Sequence, residues 1–441
     1  MTDPVRRLAR IPIVGRALKR VLRGGFVRNV AIIAGSAALA QGVVVVATPV
    51  VTRLYSPADY GVLSVFSSLL AVLATVSSLR YDFAVPVAED DESAASLVAL
   101  SFVVTLLVCV LISAGVLALG APIAALIGSP ELAHYLWYLP LGVLAAGIYR
   151  TLSAWATRQN VFSLIARTSI VQSFALAGVQ IGLGILRFGP AGLILGHILG
   201  QAAGSGSLFK LFAREKRDWR GLASLQSLRR VAIRHKKFPL YSTFSGLLNS
   251  AGLQLPVLLL GGLYGLEVAG LFALGNRIIS IPLSLIGRSV AKVYFGVAPK
   301  LAREDPNRLL KLFRKTARSL LAIGSIPIAG LAIAAPALFG WAFGETWVEA
   351  GRYVQLVAVL NVFRFAATPL SQTFNVLERQ ELAVVWDSLR LVLNVGAMWT
   401  AHSLGYGPSV AIALYSIVMT CYYASLLLAA PRLIRAATSS H

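Results

Sequence analysis

The chain has 441 residues, of which 57% are hydrophobic and only 13% charged, and its mean hydropathy is +0.75. That balance excludes a water-soluble fold, because too few polar side chains exist to cover its surface. A formal net charge of +22 would suggest nucleic acid in a soluble protein, but the cations concentrate between apolar runs, so they read as an orientation signal and no nucleic-acid partner is expected.

A bilayer core of roughly 30 Å needs about 20 apolar residues per helix. Runs of that kind are predicted over 29–50, 60–79, 94–119, 135–156, 162–186, 190–212, 240–264, 268–295, 317–343, 348–375, 382–403 and 407–430. They are continuous, without period-two alternation, which excludes a transmembrane β-barrel and predicts an all-α polytopic membrane protein with about twelve membrane helices. Residues 1–28 carry eight Lys or Arg and no small-residue cleavage site after a short apolar core. They read as a retained basic cytosolic segment rather than a removable signal peptide. The remaining expected divisions are a six-helix lobe at 29–212, a basic cytosolic linker at 213–239, a second six-helix lobe at 240–430 and a cytosolic tail at 431–441.

Alternating the twelve runs puts 31 Lys and Arg on the side of the N-terminus and three, Arg53, Arg187 and Arg352, on the other. By the positive-inside rule both termini are expected in the cytosol, and the acidic run AEDDE at 88–92 does not oppose this, since carboxylates contribute little to orientation. Cys109 and Cys421 fall inside apolar runs, so neither a disulfide framework nor a metal cluster is expected. No Walker loop is present, no cofactor is expected, and the short outer loops leave no room for a catalytic domain.

The two sides of the basic linker resemble each other. LYSPADYGVLSVF (54–66) parallels LYGLEVAGLFALG (263–275), PIAALIGSPELAHY (122–135) parallels PALFGWAFGETWVE (336–349), and LRFGPAGLILG (186–196) parallels LGYGPSVAIAL (404–414). Six helices per repeat is an even number, so both halves share one orientation about an axis along the membrane normal, which favours a central cavity between rocking bundles. Pro49, Pro140, Pro282, Pro327 and Pro369 within the runs permit kinks. Gly192, Gly196, Gly200 and Gly204 form a smooth ridge for close helix packing.

Six basic residues fall inside the runs: Arg150, Arg277, Arg288, Lys292, Arg364 and Arg390. A cation at a helix centre costs roughly 2.5–3.5 kcal/mol on insertion scales, so it faces a wet cavity or a partner. The repeat aligns Arg150 with Arg364 and brings Arg80 within one residue of Arg288. Two such pairs facing one cavity predict an anionic substrate, because guanidinium stays charged and offers a bidentate fork to phosphate or carboxylate. Arg80, Arg288 and Lys292 lie near inner ends, where snorkelling to headgroups is equally open. Arg390 has Asp387 three residues before it and reads as a structural ion pair. The candidates for ion coupling are Asp82, Asp387, Glu267 and His197. Asp82 is read as the counter-ion of neighbouring Arg80, and His197 as a packed neutral ring. Asn249 and Gln254 could bind sugar hydroxyls or satisfy a kinked backbone.

RLYSPADYGVLSVFSSLLAVLATVSSLRYDFAVPVAEDDESAASLVALS (53–101) resembles the opening of the Wzx-type oligosaccharide flippases, in the MOP superfamily that also contains the MATE drug exporters. FPLYSTFSGLLNSAGLQLPVLLLGGLYGLEVAGLFALGNRIISIPLSLIG (238–287) resembles the start of that family's second half. The resemblance implies a MATE-like fold in a bacterial inner membrane and movement of undecaprenyl-diphosphate-linked oligosaccharide by alternating access. It also implies proton or sodium coupling, membrane lipids as surroundings, and a polysaccharide polymerase with its chain-length machinery as partners. An exporter of small cations is the alternative, but it would want acidic residues inside the bundle, where this chain has arginines.

Overall fold

The computed structural model describes residues 25–127, 129–214, 224–377 and 379–438. Most of the basic segment 1–28, and residues 215–223 of the linker, lie outside the described residues. The described chain folds into helices: α1 (Gly25–Leu54), α2 (Pro57–Val76), α3 (Asp91–Leu126), α4 (Leu132–Leu136), α5 (Leu139–Arg158), α6 (Phe162–Ile185), α7 (Pro190–Ala202), α8 (Ser205–Arg214) and α9 (Leu225–Arg234). After a short π-helical turn, Phe238–Ser242, come α10 (Thr243–Tyr264), α11 (Leu266–Glu304), α12 (Pro306–Phe343), α13 (Val348–Leu370), α14 (Thr373–Val376), α15 (Gln380–Ser403) and α16 (Pro408–Thr438).

Among the described residues, ten helices are long and apolar enough to cross a membrane. Two of the twelve expected runs fall short for identifiable reasons. The run at 190–212 breaks between α7 and α8 where Gly204 takes φ +83°, a left-handed conformation natural to glycine. The run at 382–403 is α15, which carries Glu381, Asp387 and Arg390.

Helix starts follow local chemistry. Ser56 caps α2 in a reciprocal box with Asp59 and Pro57 fills the first turn; Asp90 caps α3 by accepting from the Ser93 N–H at 2.7 Å. Such a cap contributes about 1 kcal/mol. The acidic run at 88–92 thus has local work. Beside the Asp90 cap, Asp91 accepts from Arg158 Nε at 2.8 Å and Glu89 pairs with Arg234 of α9. Arg158 also donates to the Ala88 carbonyl at 2.6 Å. The bonds from Ser93 hold the Asp90 carboxyl below its ordinary value.

Packing repeats along the chain. Helix α1 lies on α6 as α10 lies on α15; α3 lies on α5 as α12 lies on α13; α6 meets α7 as α15 meets α16. Across the sequence halves, α2 packs on α10 and α11. The closest approach is reciprocal: a Cβ on Gly61 would overlap the carbonyl of Leu266, and one on Gly270 would overlap the carbonyl of Pro57. Gly61 and Gly270 occupy equivalent positions in the repeat, as do Pro57 and Leu266, so the two helices seat on each other symmetrically. Nearby, the buried Trp347 indole donates to the Thr52 carbonyl at 3.1 Å and meets Tyr60 edge-on at 5.1 Å.

The apolar interior is divided unevenly. One large cluster joins both halves around Tyr55, Tyr60, Leu63, Leu260, Ala269 and Trp347, at the end remote from the basic loops, and continues through the second half as far as Phe374 and Leu426. At the basic end two smaller clusters stay separate. One draws on the first half and linker, with Val98, Trp155, Phe212 and Val231; the other draws on the second half, with Tyr294, Phe313, Leu370 and Ile434. The glycine ridge packs within the chain: Gly196 and Gly200 of α7 lie on Gln180 and Leu176 of α6. Pro140 sits in the first turn of α5, while Pro49, Pro282, Pro327 and Pro369 lie inside helices.

Candidate functional site

Two charged regions flank the contact between the halves. In the first half, Arg150 projects from α5 toward the end of α2. Its Nη1 donates to the Ala74 carbonyl at 2.7 Å and its Nη2 lies 3.5 Å from Asp82. Asp82 is buried and also accepts from Ser78 Oγ at 2.7 Å. The short ion pair of Asp82 is therefore with Arg150, and Arg80 feels the carboxylate only from farther off. The cause is local: Leu79 and Arg80 take φ of +46° and +63°, which turns the chain sharply after α2. The Arg80 guanidinium lies instead 4.7 Å above the Phe83 ring and against Gly246 of α10.

Beside Arg150 is a cavity of about 260 Å³ lined by Ala74, Ala146, Tyr149, Arg150, Gln172 and Gln201. Its polar side chains are held in place. Gln172 Nε2 donates to the Gln201 carbonyl at 2.9 Å, and Gln201 Nε2 lies 2.9 Å from His197 Nε2. Tyr149 Oη and Thr168 Oγ1 are 3.0 Å apart.

In the second half, Arg364 on α13 is supported differently. Its Nη2 reaches Asn361 Oδ1 at 2.7 Å, Ser280 Oγ at 2.9 Å and Asn276 Oδ1 at 3.4 Å. Asn361 is buried and anchored by donating to the Val357 carbonyl at 2.9 Å. Among the described residues no carboxylate lies within ion-pair distance of Arg364, and its Nε and Nη1 have no protein acceptor. Both forks of a guanidinium, Nε/Nη2 and Nη1/Nη2, include the committed Nη2, so what Arg364 offers a phosphate or carboxylate is single charge-assisted bonds from Nε or Nη1. Arg277 follows Asn276 on α11 and likewise has no ion pair among the described residues; its charge acts on Tyr60 and on His197.

The other sequence candidates are placed as follows. Arg390 is buried, 3.2 Å from Asp387, and donates to the Asn249 carbonyl and side-chain oxygen at 3.3 and 3.2 Å. Asn249 is thus engaged by Arg390 and Asp387 is ion-paired. Gln254 accepts from Ser68 Oγ of α2 at 3.3 Å, a bond between the halves. Lys292 is exposed on α11, and the Arg288 side chain lies outside the described residues. Sequence reasoning passed over Tyr149, Gln172, Gln201, Asn276, Ser280 and Asn361. A signal was present, since each is a polar group inside an apolar run and needs a partner there.

The fold is that of a known class of membrane transporters. The chain superimposes with a TM-score of 0.76 on the inward-facing conformation of a multidrug resistance MATE family transporter of the MOP superfamily, at 15% identity, covering 90% of this chain and 96% of that one. It matches the lipid II flippase MurJ in its inward closed conformation with a TM-score of 0.69, at 14% identity, covering 91% and 87%. The chain belongs to the family described as polysaccharide biosynthesis protein, which matches residues 50–352. Among curated relatives, the succinoglycan biosynthesis transport protein ExoT of Rhizobium meliloti (strain 1021) is 24% identical over 81% of this chain and 70% of its own. The teichuronic acid biosynthesis protein TuaB of Bacillus subtilis (strain 168) is 27% identical over 38% of this chain; the match spans only 35% of TuaB. The chain is thus a polytopic all-α membrane protein of that polysaccharide biosynthesis family, with a MATE-like fold.

Proposed function

We propose that this protein is a flippase that carries undecaprenyl-diphosphate-linked oligosaccharide across the bacterial inner membrane during surface-polysaccharide assembly. The observation that carries the reading is Arg364: a guanidinium inside the bundle, held through Nη2 by three neutral oxygens, with no carboxylate partner among the described residues and with Nε and Nη1 free of protein acceptors there. A cation so placed lacks a compensating charge, and in low dielectric it draws a diphosphate strongly. Membership of a polysaccharide biosynthesis family supplies the substrate class. No phosphate bond is broken.

The basic end faces the cytosol in this reading, with both termini. The likeness in fold to an inward-facing conformation supports an inward-open state, with the lipid tail left in the bilayer through a lateral opening. Alternating access then consists of the two six-helix lobes rocking about the contact of α2 with α10 and α11. A proton or sodium gradient, or consumption of product by a polymerase outside, gives the cycle direction. The reading as an exporter of small cations is disfavoured because Asp82, the buried carboxylate of the first half, is occupied by Arg150.

The test is transport in proteoliposomes of a polyprenyl-diphosphate-linked sugar, with insertion checked in parallel. Arg364→Gln is expected to reduce flipping at least tenfold, the loss of one charge-assisted contact. Normal flipping by a normally inserted variant removes the assignment.

A further inference from the structure

The repeat aligns Arg150 with Arg364, yet the two cations are electrostatically different. Arg150 is neutralised by Asp82 at 3.5 Å, whereas Arg364 meets only neutral oxygens among the described residues. Equivalent positions in the repeat therefore have different binding chemistry. The guanidinium that lines the first-half cavity, Arg150, is thus already paired with a carboxylate, which weakens its own pull on an anion, although Arg80 adds a second cation within range.

Hydrogen-bond accounting shows what the cavity does offer. Thr168 Oγ1 donates to the Ile165 carbonyl at 2.9 Å, so the Tyr149 hydroxyl must donate to Thr168 and keeps an acceptor lone pair. Gln172 uses its Nε2 on the Gln201 carbonyl, and Gln201 directs its Nε2 at His197. The side-chain carbonyl oxygens of both glutamines have no protein donor among the described residues. Arg150 has five N–H groups, of which those on Ala74 and Asp82 are committed, and its side chain is 30% exposed. The lining thus presents acceptors and donors together. A phosphate or carboxylate, which only accepts, would leave the glutamine oxygens facing like dipoles. A sugar hydroxyl, which both donates and accepts, satisfies both sets.

Size agrees. At about 260 Å³ the cavity lies below the ~300–1,000 Å³ of drug-sized pockets and has room for one sugar ring. Position agrees as well: Gln201 of the lining bonds to His197 of the same helix, so the polar lining is fixed from α6 to α7.

From these observations we infer that the cavity lined by Tyr149, Arg150, Gln172 and Gln201 is a subsite for an uncharged sugar of the cargo, while Arg277 and Arg364 take its diphosphate. This rests on the flippase reading and divides the cargo between the halves.

The test uses the full chain in lipid nanodiscs and four probes: a short polyprenyl diphosphate without sugar, and the same diphosphate carrying glucose, galactose or N-acetylglucosamine. At least one sugar-bearing probe is expected to bind about tenfold more tightly than the bare diphosphate. Gln172→Leu, which removes an acceptor, and Ala146→Leu, which fills the cavity, should each abolish that advantage while leaving bare-diphosphate binding unchanged. The second variant serves if the first does not fold. The subsite is overturned if no sugar binds better than the bare probe, or if Ala146→Leu weakens bare and sugar-bearing probes equally. Arg364→Gln separates the two readings: it is expected to weaken all four probes alike. Undiminished binding by that variant with sugar preference retained would sink the diphosphate assignment and leave the sugar subsite standing.

Discussion

Asp82 shows how one backbone turn decides the chemistry of a charged residue. In the sequence it stands two residues from Arg80, and nearest-neighbour logic pairs them. The left-handed residues Leu79 and Arg80 break that logic, because non-glycine residues rarely take positive φ and sequence gives no sign of it here. The pair that forms instead, Arg150 with Asp82, is nearly sealed on the carboxylate side. Removing one partner of such a pair strands the other, at a cost of up to about 3–5 kcal/mol. Asp82→Asn is therefore expected to lower the unfolding temperature in detergent markedly, and Asp82→Asn combined with Arg150→Gln to lower it less than the sum of the single changes. Strict additivity would show that the contact carries no energy. At Asp90 the effect is smaller and depends on acidity. Its carboxyl is held below the ordinary value, so the cap's contribution is present above the unfolded-state pKa and fades as pH falls through the lower folded value. Asp90→Ala is expected to cost about 1 kcal/mol at neutral pH, and the difference from wild type should shrink in strong acid when thermal unfolding is followed at both conditions.

Among elements, the helices were the most legible feature, because a backbone crossing hydrocarbon must satisfy its own hydrogen bonds and so writes a continuous apolar run. The run at 190–212 was legible as apolar but not as broken, since the bend at Gly204 looks in sequence like one more member of a packing ridge. The polar lining was less legible still. Gln172 and Gln201 meet only when α6 and α7 pack, and their lone appearance in apolar runs says that a partner exists without saying which. The contact of α2 with α11 is the element-scale feature with the sharpest consequence. Gly61 and Gly270 each face a backbone carbonyl that cannot move aside as a side chain can. Gly270→Ala is expected to destabilise by about 1–3 kcal/mol through overpacking, visible as a lowered unfolding temperature, and Gly61→Ala to do the same. A silent Gly270→Ala would mean that the helices sit farther apart than described.

At the scale of the whole molecule, one apolar cluster spans both halves, meeting between them at Tyr60 and Trp347 and running on through the second half, and two smaller clusters lie at the basic end, one in each half. Charge distribution sets an expectation for the orientation; the division of the interior was not legible, because it depends on which apolar faces meet. In a cysteine-free background with Cys109 and Cys421 replaced, Tyr60→Cys and Trp347→Cys joined by a short reducible cross-linker are expected to stop transport by holding the shared end closed. Reductant should restore it. Continued transport by the cross-linked protein would rule out opening at that end.

The reciprocal seating of Gly61 and Gly270 has a consequence for ancestry. Equivalent residues contacting each other's neighbourhood is the signature of an isologous interface, the kind formed by two identical subunits about a two-fold axis. A gene encoding one half alone would yield a self-complementary surface, and fusion of two copies would convert that homodimer into a single chain. Once fused, the two surfaces were free to diverge, and the differing partners of Arg150 and Arg364 are what such divergence leaves behind.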